Sequence, residues 1–327
     1  MKEKIWLNLD PKKVDVTYLY ERFGKMGCEF TAHALESDDP SELIRQGKKA
    51  DIIIATMEKY GEDVLKELAG KVKFIHKYGT GLDTISIDAA AEYGIAVANV
   101  PGANAAAVAE TALIHILNVG RKFAPCIEGV KRGIWPSTIT GTELDGKTVG
   151  LLGYGRIARN LARMLKGFRV EILAYDPFVQ EITEEKVELV SSREELFSRS
   201  DIVSLHIPYN ETTKQSINKD LFCLMKKGAY LVNTCRGGVV NEKDLVEALK
   251  SGQIGAAGLD VLTDEPPKWD NELMKMENVY ISSHMGAASL ESEYRSQVII
   301  ADNIEKFLKG EIPEDVKNPE FIHHIRG

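Results

Sequence analysis

The chain contains little cysteine for its length. Four cysteines occur among 327 residues, with no CxxC pair and no zinc-like spacing: Cys28, Cys126, Cys223 and Cys235. Scattered cysteines of this kind are typical of reduced thiols in the cytoplasm and argue against a disulfide framework. The histidines likewise show no metal-binding spacing such as HExxH, so we predict no metal site.

The chain also lacks an excess of positive charge. It has 41 Lys and Arg against 49 Asp and Glu, which gives a net charge of −8. Nucleic acids and anionic membranes attract clustered positive charge, so neither is expected as a main partner. Apolar residues make up 44% of the chain, which argues against disorder. At roughly 150 residues per domain, the length corresponds to about two domains.

No segment has the features of a signal peptide. The start, Met1–Asp10, has only a short apolar run, so we expect a cytoplasmic location. One stretch, Gly102–Gly120, is nearly apolar and about long enough to span a membrane. It is rich in alanine, however, and Glu110, His115 and Asn118 interrupt it. We therefore predict a buried helix at a domain junction.

Short β-branched runs alternate with helical patterns, which predicts an α/β protein with parallel sheets. In the first 100 residues we predict strands at Ile5–Leu9, Asp51–Ala55, Val72–His76 and Ile95–Asn99, and helices at Val16–Phe23, Val64–Leu68 and Asp88–Tyr93. We interpret Pro125–Gly146 as a loop. The strands expected after it are Thr148–Leu152, Val170–Tyr175, Ile202–His206, Ala229–Asn233, Ile254–Leu259 and Val279–Ser282, with clear helices at Ile157–Leu165 and Glu242–Lys250.

A last long helical pattern runs from about Leu290 to Leu308, and Lys309-Gly310 ends it as a C-terminal glycine does. We expect the tail, Glu311–Gly327, to pack against the N-terminal half. The first domain would then be discontinuous, with the second domain inserted into it. The pattern alone leaves this arrangement open.

The second series of strands opens with a glycine motif for dinucleotide binding. Gly153, Gly155 and Ala158 form G-x-G-x-x-A between a strand and a helix. The first glycine permits a tight turn, the second admits a pyrophosphate, and the small third residue allows close helix packing. Asp176 ends the next strand, 18 residues beyond Ala158, about where an acid meets the adenosine ribose. The alternative is a strand-to-helix turn that contains glycine by chance. It does not explain why a helix, a second strand and an acidic residue follow the glycines in this order.

Asp176 also predicts the choice of cofactor. A carboxylate accepts hydrogen bonds from the ribose hydroxyls, whereas it repels a 2′-phosphate. Pro177 and Phe178 supply no cation to offset that repulsion. We therefore predict NAD(H) rather than NADP(H).

Three chemically complementary residues follow later strands. Ligands of parallel α/β sheets bind beyond the carboxyl ends of the strands. Arg236 is suited to hold a carboxylate, and His284 can move a proton. Glu265 can orient the imidazole and favour its protonated form. Each has a plain alternative, as a turn residue or a satisfied loop histidine, but together they predict oxidation of a 2-hydroxy acid or reduction of a 2-oxo acid.

These motifs together resemble the D-2-hydroxyacid dehydrogenase family over nearly the whole chain. The resemblance rests on Gly79-Thr80-Gly81-Leu82-Asp83, Val108-Ala109-Glu110, GYGRIA with Asp176, His206-Ile207-Pro208, Asn233-Thr234-Cys235-Arg236-Gly237, Gly258-Leu259-Asp260-Val261, Glu265-Pro266 and His284-Met285-Gly286. It implies two Rossmann-like domains with parallel sheets and a cleft between them. Residues 1–101 and 291–327 would form the substrate-binding domain, and residues 102–290 the inserted NAD-binding domain.

The resemblance also implies individual roles. His284 would be the acid/base, Glu265 its partner, and Arg236 the anchor for the substrate carboxylate. Tyr78 and Gly79 would belong to the substrate site, although Tyr78 is also explained as a strand-end aromatic. The residues implied at the NAD site are Gly153, Tyr154, Gly155, Arg156, Ile157, Asp176, His206, Pro208, Thr213, Thr234, Cys235, Asp260 and Gly286.

Two positions depart from the family pattern. Ser283 stands where proline is frequent, and Cys235 stands where alanine or serine is frequent. Both side chains are small, so we expect a changed pocket shape with the chemistry retained. A redox role for Cys235 is the alternative to a small structural residue.

The resemblance leaves the substrate and the function class open. It is strongest to the phosphoglycerate, hydroxypyruvate and glyoxylate branch. A phosphorylated substrate would need extra cations such as Lys77, and we do not expect the C-terminal regulatory domain that many phosphoglycerate dehydrogenases carry. Relatives acting on formate or phosphite share much of the site. Some transcriptional corepressors keep these residues to sense NAD(H), but the chain lacks an evident partner-binding extension. A homodimer is implied, with Pro125–Gly146 as the expected contact.

Overall fold

Short strands alternate with helices throughout the computed structural model, which describes residues 2–37, 39–135, 138–182, 184 and 186–324. The strands are β1 (Lys4–Leu7), β2 (Glu29–Ala32), β3 (Ile52–Ala55), β4 (Phe74–Lys77), β5 (Ala96–Ala98), β6 (Thr148–Leu152), β7 (Glu171–Tyr175), β8 (Val187–Leu189), β9 (Ile202–Leu205), β10 (Ala229–Asn233), β11 (Ile254–Leu259) and β12 (Val279–Ile281). The helices are α1 (Thr17–Lys25), α2 (Pro40–Gly47), α3 (Glu62–Leu68), α4 (Ile87–Glu92), α5 (Ala105–Arg121), α6 (Phe123–Lys131), α7 (Arg156–Leu165), α8 (Arg193–Arg199), α9 (Lys219–Leu224), α10 (Glu242–Lys250) and α11 (Leu290–Leu308).

The chain divides into two compact units. One contains Met1–Asn104 and Ser289–Gly327, and the other contains Ala105–Ala288. Each unit has its own sheet, and within the described residues neighbouring strands of both sheets are parallel. The strand order is β2-β1-β3-β4-β5 in the first sheet and β12-β11-β10-β9-β6-β7-β8 in the second. This confirms the predicted α/β class with parallel sheets.

The sheet of the first unit is buried on both faces. Along β3, Ile52 and Ile54 enter the core beneath α1 and α11, whereas Ile53 enters the core beneath α2, α3 and α4. This alternation follows from the two-residue period of a strand. A strand that is covered on both sides must be apolar throughout, which explains the run of three isoleucines.

The end of the chain packs back on the first unit. Val316 forms an antiparallel bridge with Ala98, and the Asn318 side chain bonds the backbone of Val97 and Ile95. The helix before it matches the predicted range Leu290–Leu308, and Gly310 follows it with φ +81°. The described part of the tail therefore packs as predicted, whereas residues 325–327 lie outside the described residues.

The sheet of the second unit has the strand order of a dinucleotide-binding fold. β6 lies between β7 and β9, so the chain leaves β6 in one direction and later resumes on its other side. The carboxyl ends of β6 and β9 therefore mark the point where the strand order reverses. Ligands of open α/β sheets bind at such a point.

The predicted strands and helices agree with the structure, with ends displaced by a residue or two. The patterns did not reveal β2 and β8, which lie at sheet edges. Their partly exposed residues do not form a continuous apolar run. Three further helices, α2, α8 and α9, were not predicted either.

The interpretation of Pro125–Gly146 as a loop is wrong for its first part, because α6 extends from Phe123 to Lys131. Pro125 lies in the first turn, where a missing backbone N–H costs a helix little. Two residues of this segment, Pro136 and Ser137, lie outside the described residues.

The alanine-rich helix α5 is buried on one side only. It begins where the second unit begins, but Glu110 and Ile114 are exposed. The predicted buried helix is therefore present, with this face exposed. In the described part of the chain, no helix combines the length and the apolar character that a membrane crossing requires.

Candidate active site

The turn between β6 and α7 leaves the start of the helix open. A Cβ on Gly153, which has φ +88°, would lie 2.6 Å from the carbonyl oxygen of His206. Gly155 precedes α7, and a Cβ there would meet nothing within 4 Å. Among the described residues no side chain caps α7, whereas Asn241 caps α10 through the Asp244 N–H. Free N–H groups and the helix dipole make such an end suited to a phosphate.

Asp176 is fixed beside this turn. Its Oδ2 accepts a 2.9 Å hydrogen bond from the Tyr154 N–H, and its Oδ1 accepts one of 2.9 Å from the Phe178 N–H. Ala158 is fully buried between α7 and the sheet. The carboxylate is thus held at the end of β7 next to the open helix start. This arrangement fits the adenosine side of a dinucleotide.

The loop after β9 brings together three predicted residues. The His206 ring is partly buried, and neither nitrogen has a hydrogen-bond partner among the described residues. Burial lowers the pKa of His206 to about 4, so the ring is neutral. Thr213 Oγ1 donates to the Pro208 carbonyl at 2.7 Å and accepts from the Asn210 N–H at 2.9 Å. Thr213 therefore closes the loop that follows His206.

The loop after β10 holds Arg236 from both sides. The Asn233 amide donates to the Arg236 carbonyl at 2.9 Å, and the guanidinium donates to the Cys235 carbonyl at 2.8 Å. A Cβ on Gly237 would overlap the Leu262 carbonyl, so only glycine fits there. Thr234 is buried, and its hydroxyl has no partner in the described part of the chain.

Cys235 is a structural residue by its surroundings. Its thiol lies 3.0 Å from Asn233 Oδ1, and its backbone N–H donates to the same atom at 3.0 Å. Burial raises the pKa of the thiol to about 11. Thiol reactivity requires the thiolate, so the environment disfavours the redox alternative.

His284 and Glu265 form an ion-pair contact across two loops. Nδ1 of His284 lies 2.5 Å from Oε2 of Glu265, and Oε1 accepts from the Leu262 N–H at 3.0 Å. Partial burial raises the pKa of Glu265, but the His284 bond and charge, the Leu262 N–H and the Arg236 charge together hold it below its usual value. The carboxylate is therefore ionised near neutral pH, and it orients the imidazole through Nδ1.

Asp260 holds the backbone around His284. Its carbonyl accepts from the His284 N–H at 2.8 Å, its Oδ1 from the Met285 N–H at 2.9 Å, and its Oδ2 from the Gly286 N–H at 2.8 Å. A Cβ on Gly286 would lie 2.8 Å from the same Oδ2. Asp260 and Gly286 are thus in direct contact. The Asp260 side chain, predicted to belong to the NAD site, is buried and binds this loop.

The predicted substrate residues of the first unit follow β4. The Tyr78 hydroxyl accepts from Gln297 Nε2 at 3.2 Å, and burial raises the pKa of Tyr78 to about 12 despite that bond. Gly79 accepts the Val100 N–H through its carbonyl at 3.1 Å. Lys77 is buried, and its ammonium donates to the Thr56 carbonyl and to Thr84 Oγ1. It therefore joins two strand-end loops instead of offering a free surface cation.

In the second unit, the described residues supply hydrogen-bond donors, an acceptor and enough room for a dinucleotide. The α7 start offers uncapped N–H groups, Gly155 leaves room for close approach, and Asp176 supplies an acceptor. In the described part of the chain, no cluster of three or more His, Cys, Asp or Glu side chains is arranged to hold a metal ion. Sequence reasoning missed Ser282 and Asn233 as supports of the site. Both follow or end a strand next to a predicted site residue, and this position in the sequence is the feature that could have revealed them.

Comparison with known proteins decides the family. Residues 113–286 match the family model for D-isomer specific 2-hydroxyacid dehydrogenase, NAD binding domain. The chain belongs to this family. Its second unit contains the NAD-binding domain, and the predicted resemblance is confirmed.

Similar proteins include enzymes with several substrates. The chain is 39% identical to D-3-phosphoglycerate dehydrogenase of Methanocaldococcus jannaschii over 94% of its own length and 58% of that protein. It is 37% identical to hydroxypyruvate reductase of Thermotoga maritima over 91% of its length and 96% of that protein. The chain spans only 58%, 51% and 48% of three phosphoglycerate dehydrogenases that it matches.

Solved structures with the same fold include an NAD-dependent formate dehydrogenase from Staphylococcus aureus in complex with NAD. It superposes with a TM-score of 0.85 at 28% identity, over 96% of this chain and 97% of that one. A glyoxylate reductase from Paecilomyes thermophila superposes with a TM-score of 0.86 at 26% identity, over 98% and 99%. These matches confirm the Rossmann-like fold.

Proposed function

We propose that the protein is an NAD-dependent oxidoreductase that interconverts D-2-hydroxy acids and 2-oxo acids. The observation that carries this proposal is the His284–Glu265 pair, 2.5 Å apart, on strand-end loops of an NAD-binding domain. The Arg236 charge supports the same assignment, because it lowers the pKa of Glu265. A proton-transfer group beside a carboxylate-binding cation is what the reaction of a 2-hydroxy acid needs.

Each residue has a defined role in the proposed reaction. NAD, when bound, supplies the acceptor or donor of the hydride exchanged with substrate C2. In the oxidative direction His284 Nε2 takes the proton of the substrate hydroxyl, and in reduction it returns that proton. Glu265 stabilises the protonated imidazole, and Arg236 holds the substrate carboxylate by paired N–H groups.

The same proposal assigns the residues that would hold the cofactor. The α7 start with Gly153, Tyr154, Gly155, Arg156 and Ile157 would bind the pyrophosphate. The ribose would lie at Asp176. The remaining positions proposed around adenine and nicotinamide are His206, Pro208, Thr213, Thr234, Cys235, Asp260 and Gly286.

The proposed substrate is of the 3-phosphoglycerate, hydroxypyruvate or glyoxylate type, because relatives with these names share 36–39% identity with the chain. We further propose that residues 1–101 and 291–327 form the substrate-binding domain. Tyr78 and Gly79 would then bind the substrate carboxylate through their loop. Residues 102–290 would form the NAD-binding domain.

Steady-state assays test the proposal directly. NADH oxidation should be followed with glyoxylate, hydroxypyruvate, phosphohydroxypyruvate, pyruvate and longer 2-oxo acids. His284→Ala and Arg236→Ala should each lower turnover by roughly 10²-fold or more, since acid–base catalysis contributes about 10²–10⁴-fold. NADH binding, read by its fluorescence, should survive both changes. NADH binding without turnover on any 2-oxo acid would instead favour an NAD-sensing protein.

We also propose that the chain forms a homodimer through α6 and the residues after it. Phe123, Ile127 and Val130 lie on one face of α6 and are exposed, as are Ile134 and Trp135 beyond it. Exposed apolar patches of this kind mark protein interfaces. Because the family resemblance implies a homodimer, we propose that a second copy of this chain covers this face. Light scattering should give twice the chain mass, and Ile127→Glu should shift it to the monomer.

A further inference from the structure

A buried histidine on α5 contacts the loop that carries His284. His115 is 6% exposed, and its Nε2 lies 2.9 Å from Ser282 Oγ. Ser282 Oγ in turn lies 2.6 Å from Asp260 Oδ1. A Cβ on Gly258 would lie 2.9 Å from His115 Cβ, so glycine on β11 makes room for the ring.

The direction of these hydrogen bonds is determined by the number of hydrogens available. A serine hydroxyl has one hydrogen, and Ser282 gives it to Asp260 Oδ1. Ser282 can therefore only accept from His115, which must carry its hydrogen on Nε2. Nδ1 of His115 is buried and has no partner among the described residues. Burial lowers the pKa of His115 more than the nearby Asp260 raises it, so the ring is neutral.

The chain of bonds ends at the backbone of the acid/base. Asp260 binds the N–H groups of His284, Met285 and Gly286, through its carbonyl and both carboxylate oxygens. His284 has φ +53°, a left-handed conformation that non-glycine residues rarely adopt. Such a conformation persists only where the surroundings hold it. The Asp260 carbonyl and carboxylate therefore hold the backbone that carries the His284 ring.

We propose that His115 and Ser282 are positioning residues for His284. The series His115–Ser282–Asp260 holds the Asp260 carboxylate so that it binds the Met285 and Gly286 N–H groups. Those bonds keep His284 in the left-handed conformation that brings Nδ1 to Glu265. This inference rests on the proposed function, because it concerns the residue that moves the proton.

The test compares disruptive and conservative variants of the full chain. Ser282→Ala and His115→Leu remove the link, whereas Ser282→Thr keeps a hydroxyl and His115→Gln keeps an N–H donor. Displacing a catalytic group by about 1 Å can cost roughly 10²-fold in rate. We expect kcat to fall about 10- to 100-fold in the disruptive variants and to recover mostly in the conservative ones. KM for the 2-oxo acid and NADH affinity should change less than about threefold.

A purely structural role of His115 and Ser282 predicts a different set of results. Ile116→Val is the matched control, because Ile116 is buried on the same helix. It should lower the melting temperature slightly and leave kcat unchanged. Wild-type kcat in both disruptive variants would overturn the inference, as would a loss of kcat that the conservative variants share. A loss confined to NADH affinity would also overturn it.

A second measurement separates this inference from the proposed function. Failure of the wild-type chain to reduce any 2-oxo acid would refute the function alone. The ¹⁵N side-chain spectrum of His115 should show the Nε2–H tautomer regardless of turnover. In Ser282→Ala, the backbone amide signals of Met285 and Gly286 should shift. A Nδ1–H tautomer, or unshifted amides, would refute the positioning network.

Discussion

His284 and Glu265 meet through Nδ1 and Oε2 at 2.5 Å, although 18 residues separate them in the chain. The contact forms because β11 and β12 are neighbouring parallel strands whose following loops leave the same edge of the sheet. The second oxygen of Glu265 is held by the Leu262 N–H. One carboxylate oxygen of Glu265 thus contacts the imidazole, and the other fixes the carboxylate to the backbone.

Glu265→Gln should separate two effects of Glu265 on His284, the orientation of the ring and the stabilisation of its positive charge. Glutamine retains an oxygen that can accept the imidazole hydrogen but cannot stabilise a protonated ring. We expect kcat with the best 2-oxo acid to fall roughly 10- to 100-fold, less than for His284→Ala, because acid–base terms reach about 10²–10⁴-fold in total. Turnover equal to wild type would remove Glu265 from the mechanism.

The same pair should affect acid stability. The folded pKa of Glu265 is lowered, so its contribution to stability is present above the unfolded value near 4.5 and is lost as the pH falls through the folded pKa. Urea unfolding of Glu265→Gln at pH 7 and pH 4 should therefore show a smaller loss on acidification than the wild type. Asp264→Asn, at the neighbouring exposed residue, is the matched control.

Asp176 should determine the preference for NADH over NADPH. Wild-type kcat/KM should favour NADH by about 100-fold or more, because the carboxylate beside the ribose repels a 2′-phosphate. Asp176→Asn removes the charge and keeps one oxygen, which can accept from either the Tyr154 or the Phe178 N–H group, so the preference should shrink about tenfold or more. Asp176→Ala should in addition weaken NADH binding. Equal kcat/KM for both cofactors in the wild type would contradict the prediction.

Gly237 and Gly238 should respond differently to alanine. A Cβ on Gly237 would overlap the backbone carbonyl of Leu262, which cannot move without shifting the loop that holds Glu265. A Cβ on Gly238 would instead meet the ring of Tyr209 at 2.6 Å, and that partly exposed side chain can rotate away. Urea unfolding should show a loss of about 2 kcal/mol or more for Gly237→Ala, and below about 1 kcal/mol for Gly238→Ala.

His76 should make the protein less stable on mild acidification. Its ring is fully buried between the Lys77 carbonyl and the Asn303 amide, with Asp315 as the nearby charge. Burial lowers its pKa from 6.5 to about 4. Between these values the unfolded state binds more protons, so stability falls as the pH falls. For His76 alone, the loss at pH 5 is on the order of 2 kcal/mol relative to pH 7.

The measurement is the difference between the free energies of unfolding at pH 7 and pH 5. In His76→Gln this difference should shrink by about 2 kcal/mol, whatever the variant costs at pH 7. His323→Gln, at an exposed position, should leave the difference unchanged. An unchanged difference in His76→Gln would show that the folded protein protonates His76 as readily as the unfolded chain does.

Local patterns in the sequence determined the class of fold and the family. Apolar strand runs and helical periods depend on near neighbours, so the α/β alternation could be predicted to within a residue or two. The glycine motif at Gly153 and Gly155 could be recognised from residues that are adjacent in the chain, although the carbonyl that excludes a Cβ from Gly153 belongs to the distant His206. The order of Arg236, Glu265 and His284 followed from one rule about strand ends.

Only the tertiary structure decided how the strand-end residues support one another. Gly258 makes room for His115, Asp260 binds the loop around His284, and Lys77 is drawn into a buried contact. These relations join side chains that are distant in the chain, and they depend on a few ångströms of packing. The α6 helix also escaped prediction, because proline and glycine are read as loop residues until their place in the first turn or on an exposed face is known. Periodicity is a local property, whereas positioning a proton-transfer group requires contacts that only the folded chain brings together.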